Sequence, residues 1–151
     1  MGKIFNHMDR PPTLSRAASQ VMDYARKIRA YYNTELPKRH PNYPLVDPRD
    51  RLTPAPPEQE ELDEYLTSLP EETVYQLLLL MYLGRGDYDT VELAGNYRYL
   101  KEMFHEPRLA ANQMMDKAPL AKYLATGLDK LHKDGLDADK LLAKLVKTRK
   151  R

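Results

Sequence analysis

The fold is decided by residues 73–83, TVYQLLLLMYL, which are apolar at nearly every position. A helix with this sequence has no polar face, so other parts of the chain must surround it. The run is also far shorter than the roughly 18 apolar residues that a membrane-spanning helix requires. The segment therefore predicts a central core helix, and the chain is not expected to cross a membrane.

Apolar residues recur at helical spacing on both sides of this segment. Before it, the recurring positions are Leu14, Ala18, Val21, Ala25, Ile28 and Tyr32. Steps of three and four residues keep these side chains on one face of a helix over residues 13–33. Further helices are predicted from Pro57, over about 90–104, from Pro119 and after Asp137, and no stretch alternates with period two. We expect an all-α fold, a compact bundle of about five to seven helices.

Local signals mark where several helices begin and end. Thr13 or Ser15 is placed to cap the first helix, and the sequences SLPE at 68–71 and DTVE at 89–92 have the capping-box spacing. Gly84 is expected to end the central helix, because glycine adopts left-handed backbone without a steric penalty. The chain that follows Gly84 is then a tight corner between two helices.

Charge and proline divide the chain into four parts. Residues 1–57 carry a net charge of +5, residues 58–129 of −8 and residues 130–151 of +5. Seven of the twelve prolines lie between residues 37 and 57, where neither helix nor central strand is expected. We predict a basic amphipathic helix at 1–36 that packs on the main domain, a Pro-rich linker at 37–57, a helical core domain at 58–134, and a basic C-terminal helix and tail at 135–151.

Several classes of site have no support in the sequence. Without cysteine there is no disulfide, thiolate zinc site, iron–sulfur cluster or cysteine nucleophile. The four histidines, His7, His40, His105 and His132, do not fall at metal-ligand spacing, and no glycine-rich phosphate loop or Gly-x-Ser-x-Gly elbow occurs. The first residues have no apolar segment of signal-peptide length. We therefore predict no catalytic residue, metal or cofactor, a protein that is not an enzyme, and a cytoplasmic location.

The corner carries a distinctive sequence. Residues 81–89 read MYLGRGDYD, residues 108–110 read RLA, and residues 119–128 read PLAKYLATGL. These segments resemble a bacterial family of small helical domains of unknown function, in which a leucine-rich helix ends in Leu-Gly-Arg-Gly-Asp. The resemblance spans about residues 62–131. It implies a helical fold and a bacterial source but no activity. The Pro-rich linker, the aromatic stretch from Asn96 to Phe104 and the basic C-terminus depart from or extend the family pattern.

The corner residues are the first candidates for a binding site; they are Gly84, Arg85, Gly86, Asp87, Tyr88 and Asp89. A structural interpretation is favoured, in which the glycines give backbone freedom, an aspartate caps a helix and Arg85 pairs with a neighbouring carboxylate. Two alternatives remain open. Arg85 can bind a carboxylate or phosphate, or Asp87 and Asp89 can hold a cation.

Basic residues concentrate at the C-terminus, namely Lys140, Lys144, Lys147, Arg149, Lys150 and Arg151. The first three share one face of a helix and suit the phosphates of a nucleic-acid backbone, or an acidic protein partner. Since no catalytic pattern is present and charge is segregated, we predict a non-enzymatic helical protein-interaction module. The alternative is an accessory nucleic-acid-binding protein that uses the basic N- and C-terminal segments. The sequence leaves the oligomeric state open.

Overall fold

The computed structural model describes residues 10–39 and 55–147, and over these two ranges the chain is all-α. The helices are α1 (Leu14–Arg39), α2 (Pro57–Ser68), α3 (Glu71–Arg85), α4 (Leu93–Met103), α5 (Pro107–Met115), α6 (Leu120–Lys133) and α7 (Leu141–Lys147), with a short 3₁₀ turn (Ala138–Lys140) before α7. The predicted compact helical bundle is confirmed. None of the helices in these ranges is long and apolar enough to cross a membrane.

Helix α3 lies at the centre of the bundle, as its sequence predicts. Every side chain over residues 73–81 is buried, and so is Leu83. The helix contacts α1, α4, α5 and α6, so that neighbours cover most of its circumference. Full burial of a leucine or methionine side chain stabilises a fold by about 1.5–3 kcal/mol, so this one helix supplies much of the hydrophobic stabilisation.

Helices α3 and α6 touch through their backbones. A Cβ atom placed on Gly84 of α3 would lie 1.7 Å from the carbonyl oxygen of Tyr123, and one placed on Gly127 of α6 would lie 2.3 Å from the carbonyl oxygen of Leu80. Both distances are far below any that real Cβ atoms show. Only glycine at these two positions allows the helices to approach this closely.

The prediction that Gly84 ends the central helix is wrong. Helix α3 continues to Arg85, and Gly86, with a φ of 98°, is the left-handed residue that ends it. The Gly86 amide donates to the carbonyls of Tyr82 and Leu83, so the last turn is closed in the usual way for a glycine cap. Gly84 and Gly86 are separated by one residue, and either fits a helix end in the sequence. Only the packing against α6 shows that Gly84 lies within α3 and allows the close contact between the two helices.

The predicted caps are confirmed at one helix and wrong at two. Thr13 Oγ1 accepts a hydrogen bond from the Arg16 amide at 3.3 Å, which caps α1. At α3 the N-cap is Pro70 without a side-chain cap, because Ser68 still belongs to α2 and donates to the Tyr65 carbonyl. Helix α4 begins only at Leu93, after an Asx turn in which Asp89 accepts from the Val91 amide. Each capping-box pattern therefore lies just before the true helix start.

A second cap of α1 comes from the other end of the chain. Asp139, in the 3₁₀ turn, accepts hydrogen bonds from the Ser15 amide at 2.8 Å and from Ser15 Oγ at 2.9 Å. The turn itself starts as predicted, with Asp137 Oδ1 accepting from the Asp139 amide. A carboxylate is favourable at the positive end of a helix, so this contact fixes the C-terminal segment against the start of α1.

The first helix extends farther than proline content predicts. The linker was expected to start at residue 37, but α1 continues through Pro37 to Arg39 and packs on α2 and α6. Pro37 has no amide to donate to the Asn33 carbonyl, but Glu35 in the same turn pairs with Lys38 at 3.7 Å and with Arg39 at 3.6 Å. Residues 40–54 of the predicted linker, which include His40, lie outside the described residues. His7 also lies outside them.

Two core tyrosines differ in how their hydroxyls are satisfied. Tyr75 donates to the Phe104 carbonyl. Tyr97 is buried, and within the described chain its hydroxyl has no hydrogen-bond partner. Burial, aided by the carboxylates of Glu72 and Glu71, raises the pKa of Tyr97.

We expect the substitution Gly84→Ala to destabilise the protein by about 3 kcal/mol or more, because the added methyl group meets backbone that cannot move aside. The matched control is Gly95→Ala in α4, where the nearest atom to the new Cβ is 3.5 Å away. That change should be neutral or stabilising by up to about 1 kcal/mol, since alanine favours helix. Urea unfolding measures both, and equal effects of the two substitutions would contradict the backbone contact.

We expect the substitution Tyr97→Phe to leave stability at pH 7 unchanged or to raise it by about 1 kcal/mol, because it removes an unpaired buried hydroxyl. The raised pKa of Tyr97 means that the wild type loses stability once the pH rises above the unfolded tyrosine value of about 10. The variant should lose less stability between pH 7 and pH 11 in urea unfolding. Tyr99→Phe, at an exposed position, serves as the control at pH 7, and a clear loss of stability in Tyr97→Phe would contradict this interpretation.

Candidate functional site

The predicted corner lies between α3 and α4, with Arg85 at its centre. Arg85 Nε donates to Asp87 Oδ2 at 2.7 Å, and both side chains are a little over one third exposed. The guanidinium carbon also lies 5.3 Å from the centre of the Tyr82 ring. The hydrogen bond to Asp87 raises the pKa of Arg85. Arg85 is therefore held by a carboxylate on one side and by an aromatic face on the other.

One tyrosine contacts this arginine, and further tyrosines lie next to that one. The rings of Tyr82 and Tyr88 are 5.7 Å apart at a tilt of 53°. Burial, followed by the nearby hydroxyls of Tyr82 and Tyr99, raises the pKa of Tyr88. Tyr99 of α4 lies near Tyr88, and 51% of its surface is exposed. We call Tyr82, Arg85, Tyr88 and Tyr99 the tyrosine–arginine corner.

Contacts from neighbouring helices fix the position of the corner. Lys130 Nζ of α6 donates to the Leu83 carbonyl at 2.9 Å, which satisfies a carbonyl at the end of α3. Thr90 is hydrogen-bonded to Asp134 just after α6. Gln113 Nε2 of α5 donates to the Tyr82 hydroxyl at 2.8 Å. The corner is thus attached to both α5 and α6.

In both ligand hypotheses for the corner, the side chains that would bind the ligand already have hydrogen-bond partners within the protein. An anion at Arg85 would compete with Asp87, and a cation at Asp87 and Asp89 would compete with Arg85 and with the Val91 amide. Over the described residues, no three histidine, aspartate or glutamate side chains are grouped as metal ligands. The contacts of Arg85 follow the structural interpretation, with Asp87 as the carboxylate that pairs with it.

The predicted basic face lies on α7 and the turn before it. Leu141 and Leu145 are buried, and α7 packs against α4, so Lys140 and Lys144 are left exposed. The side chain of Lys147 is outside the described residues, as are Arg149, Lys150 and Arg151. His105 and His132 are both exposed, in different parts of the fold.

A groove that sequence reasoning missed lies between α1, α2 and the α5–α6 junction. Its volume is about 470 Å³, and its apolar wall includes Ile28, Leu36, Leu62, Met115 and Leu120. The apolar stripe of α1 predicts a packing face, but it does not reveal that the helix extends past the helices on which it packs. The sequence feature that could have indicated the groove is the continuation of the apolar stripe of α1 to Leu36, four residues after Tyr32.

Comparison with known families identifies the segment that carries the corner. Residues 59–132 match the model of a family described as "Protein of unknown function (DUF3775)". This match covers just under half of the chain, and we call residues 59–132 the DUF3775 domain. The domain runs from the first turn of α2 nearly to the end of α6, so it includes Gly84, Gly127 and the corner. The predicted resemblance to a family of unknown function is confirmed at this level. Among curated proteins and among solved structures, none matches the chain.

We expect the stability of the DUF3775 domain at the corner to depend more on the backbone conformation of Gly86 than on the exposed ion pair between Arg85 and Asp87. The substitution Gly86→Ala should destabilise the protein by about 1–2 kcal/mol, because alanine is strained at this positive φ although nothing lies within 4 Å of the new Cβ. Asp87→Ala should lower stability by less than about 1 kcal/mol. Gly135→Ala, at the second positive-φ glycine, is the matched comparison. A larger loss from Asp87→Ala than from Gly86→Ala in urea unfolding would contradict this order.

Proposed function

We propose that the chain is a non-enzymatic helical module that binds another protein through the tyrosine–arginine corner. The observation that carries the proposal is the composition of this surface, in which Arg85 lies over the Tyr82 ring, Tyr88 packs against Tyr82, and Tyr99 lies near Tyr88. Tyrosine and arginine are enriched among the residues that dominate binding energy at protein interfaces. We place this function in the bacterial cytoplasm, in keeping with the resemblance to a bacterial family.

The corner is suited to binding because its side chains are already ordered. Arg85 is held by Asp87 and by the Tyr82 ring, and Tyr82 is held in turn by Gln113. Immobilising a flexible side chain at an interface costs about 0.5–1.5 kcal/mol, and this cost is reduced when the unbound protein holds the side chain in place. A partner therefore meets a surface that needs little rearrangement.

Exposed apolar side chains extend this surface beyond the corner. Val91 is 81% exposed in the segment that leads into α4, and Met103 is 49% exposed on α4. Met103 lies four residues after Tyr99, so the two share one face of the helix. Exposed apolar groups next to ordered tyrosines are typical of the centre of a protein interface.

We expect the substitution Tyr99→Ala, alone or with Arg85→Ala, to weaken partner binding at least about tenfold while the protein stays folded. The measurement is quantitative affinity capture from the native host, followed by titration of the captured protein. Leu109→Ala is the matched control, because Leu109 is also an exposed apolar residue of the DUF3775 domain but lies on α5. Capture that is unchanged by Tyr99→Ala, or is lost equally with Leu109→Ala, would contradict the proposal.

The alternative function is accessory nucleic-acid binding through the basic ends. The specific observation in its favour is that α7 buries Leu141 and Leu145 and leaves Lys140 and Lys144 exposed, one helical turn apart. Lysines placed in this way can contact successive phosphates without base specificity.

If this alternative holds, filter binding to a DNA duplex should weaken more than about tenfold between 50 mM and 200 mM salt, because binding releases counterions. Replacing both Lys140 and Lys144 by alanine should weaken binding further and reduce the salt dependence. Replacing Lys122 and Lys133, which are exposed on α6, removes the same charge and should have little effect. Absence of binding at 50 mM salt, or an equal loss in both double variants, would exclude this function.

A further inference from the structure

Within residues 10–39 and 55–147, part of the apolar face of the C-terminal half of α1 has no protein neighbour. The side chains of Leu14, Val21 and Ala25 are buried in the core, but Ile28, Tyr32 and Leu36, which continue the same stripe, are only half-buried. These last three line the groove of about 470 Å³.

The opposite wall of the groove comes from the DUF3775 domain. Leu62 of α2, Met115 at the end of α5 and Leu120 at the start of α6 lie there. The volume is within the range of pockets that bind ligands, about 300–1,000 Å³, and the apolar walls suit side chains of similar character. The groove is therefore large enough for a short peptide segment.

The polar groups of the lining favour an acidic ligand. Arg29 is exposed at the groove and, within the described residues, forms no ion pair. The Lys117 side chain is only 21% exposed, and its nearest carboxylate, Asp116, is 3.8 Å away and 80% exposed. This nitrogen–oxygen distance is longer than that of a hydrogen-bonded ion pair, so a second carboxylate can bind closer to Lys117.

The remaining polar groups limit where that carboxylate can bind. The Tyr32 hydroxyl donates to Gln59 Oε1 at 3.0 Å, so these two groups satisfy each other. A neighbouring groove, which shares Ile28, Leu62 and Met115 with the first, is lined by Glu60, which repels an anion, and by Asp63, which pairs with Arg108. Asp116 also lines the groove, so Arg29 and Lys117 leave its lining with one net positive charge, and an acidic group is favoured at these two side chains.

We propose that this groove binds a short apolar segment of another protein, with an aspartate or glutamate side chain of that segment paired with Arg29 and Lys117. The apolar side chains of the segment pack against Ile28, Leu36 and Met115. This site is independent of the tyrosine–arginine corner, since it requires α1, which lies outside the DUF3775 domain.

The test is selection of a phage-displayed random dodecapeptide library on the full chain. We expect the enriched peptides to combine large apolar residues with aspartate or glutamate. A synthetic copy of an enriched peptide should bind in fluorescence anisotropy. The substitution Arg29→Glu should weaken that binding at least about tenfold, and replacing the acidic residue of the peptide by lysine should do the same.

Matched variants separate the groove from general charge effects. Arg26→Glu makes the same charge change one turn earlier on α1, where Arg26 is exposed and outside the groove lining, so it should weaken binding much less. Leu36→Glu places a charge in the apolar wall near the end of α1 and should abolish binding. Circular dichroism and thermal unfolding check that each variant remains folded.

Several outcomes would overturn the proposal. They are the absence of enriched peptides, enriched peptides without an acidic residue, equal effects of Arg26→Glu and Arg29→Glu, and binding that survives Leu36→Glu. A dimer in light scattering that Leu36→Glu dissociates would assign the groove to a second copy of the chain. Enrichment that appears only after residues 40–54 are replaced by a Gly-Ser linker would assign it to that segment instead.

Discussion

The rest of the structure depends on the backbone contact between α3 and α6 at Gly84 and Gly127. Because the helices approach this closely, Lys130 of α6 reaches the Leu83 carbonyl at the end of α3. The same approach places Asp134, just after α6, beside Thr90 in the segment that leads to α4. Because Gly84 and Gly127 have no Cβ atoms, the two helices can pack closely in the interior, and this close packing fixes the position of the exposed tyrosine–arginine corner.

The two proposed binding surfaces have different origins in the chain. The corner is built entirely from the DUF3775 domain, which contains Tyr82, Arg85, Tyr88 and Tyr99. The groove needs α1, which supplies Arg29 and half of the apolar wall from outside the domain. The DUF3775 domain alone is therefore expected to form the binding surface at the corner, whereas the groove requires both α1 and the domain.

Local patterns predict the helices well but not the contacts between them. The burial of α3 follows from its composition, and the start of α2 at Pro57 follows from a local signal. The role of Gly84 depends on Gly127, and the cap on Ser15 depends on Asp139, 124 residues away. No periodicity encodes such pairings. The groove was missed for the same reason, since its walls come from separate helices that only the folded chain brings together.

The most direct test of this account is the nuclear Overhauser spectrum of the isotope-labelled full chain. If the backbones of α3 and α6 touch, the α protons of Gly84 will show strong cross-peaks to the Gly127 amide proton. The reason is that a Cβ atom placed on Gly84 would lie only 2.8 Å from the Gly127 nitrogen. Cross-peaks from Gly84 to side chains alone, with none to the backbone of α6, would contradict the account.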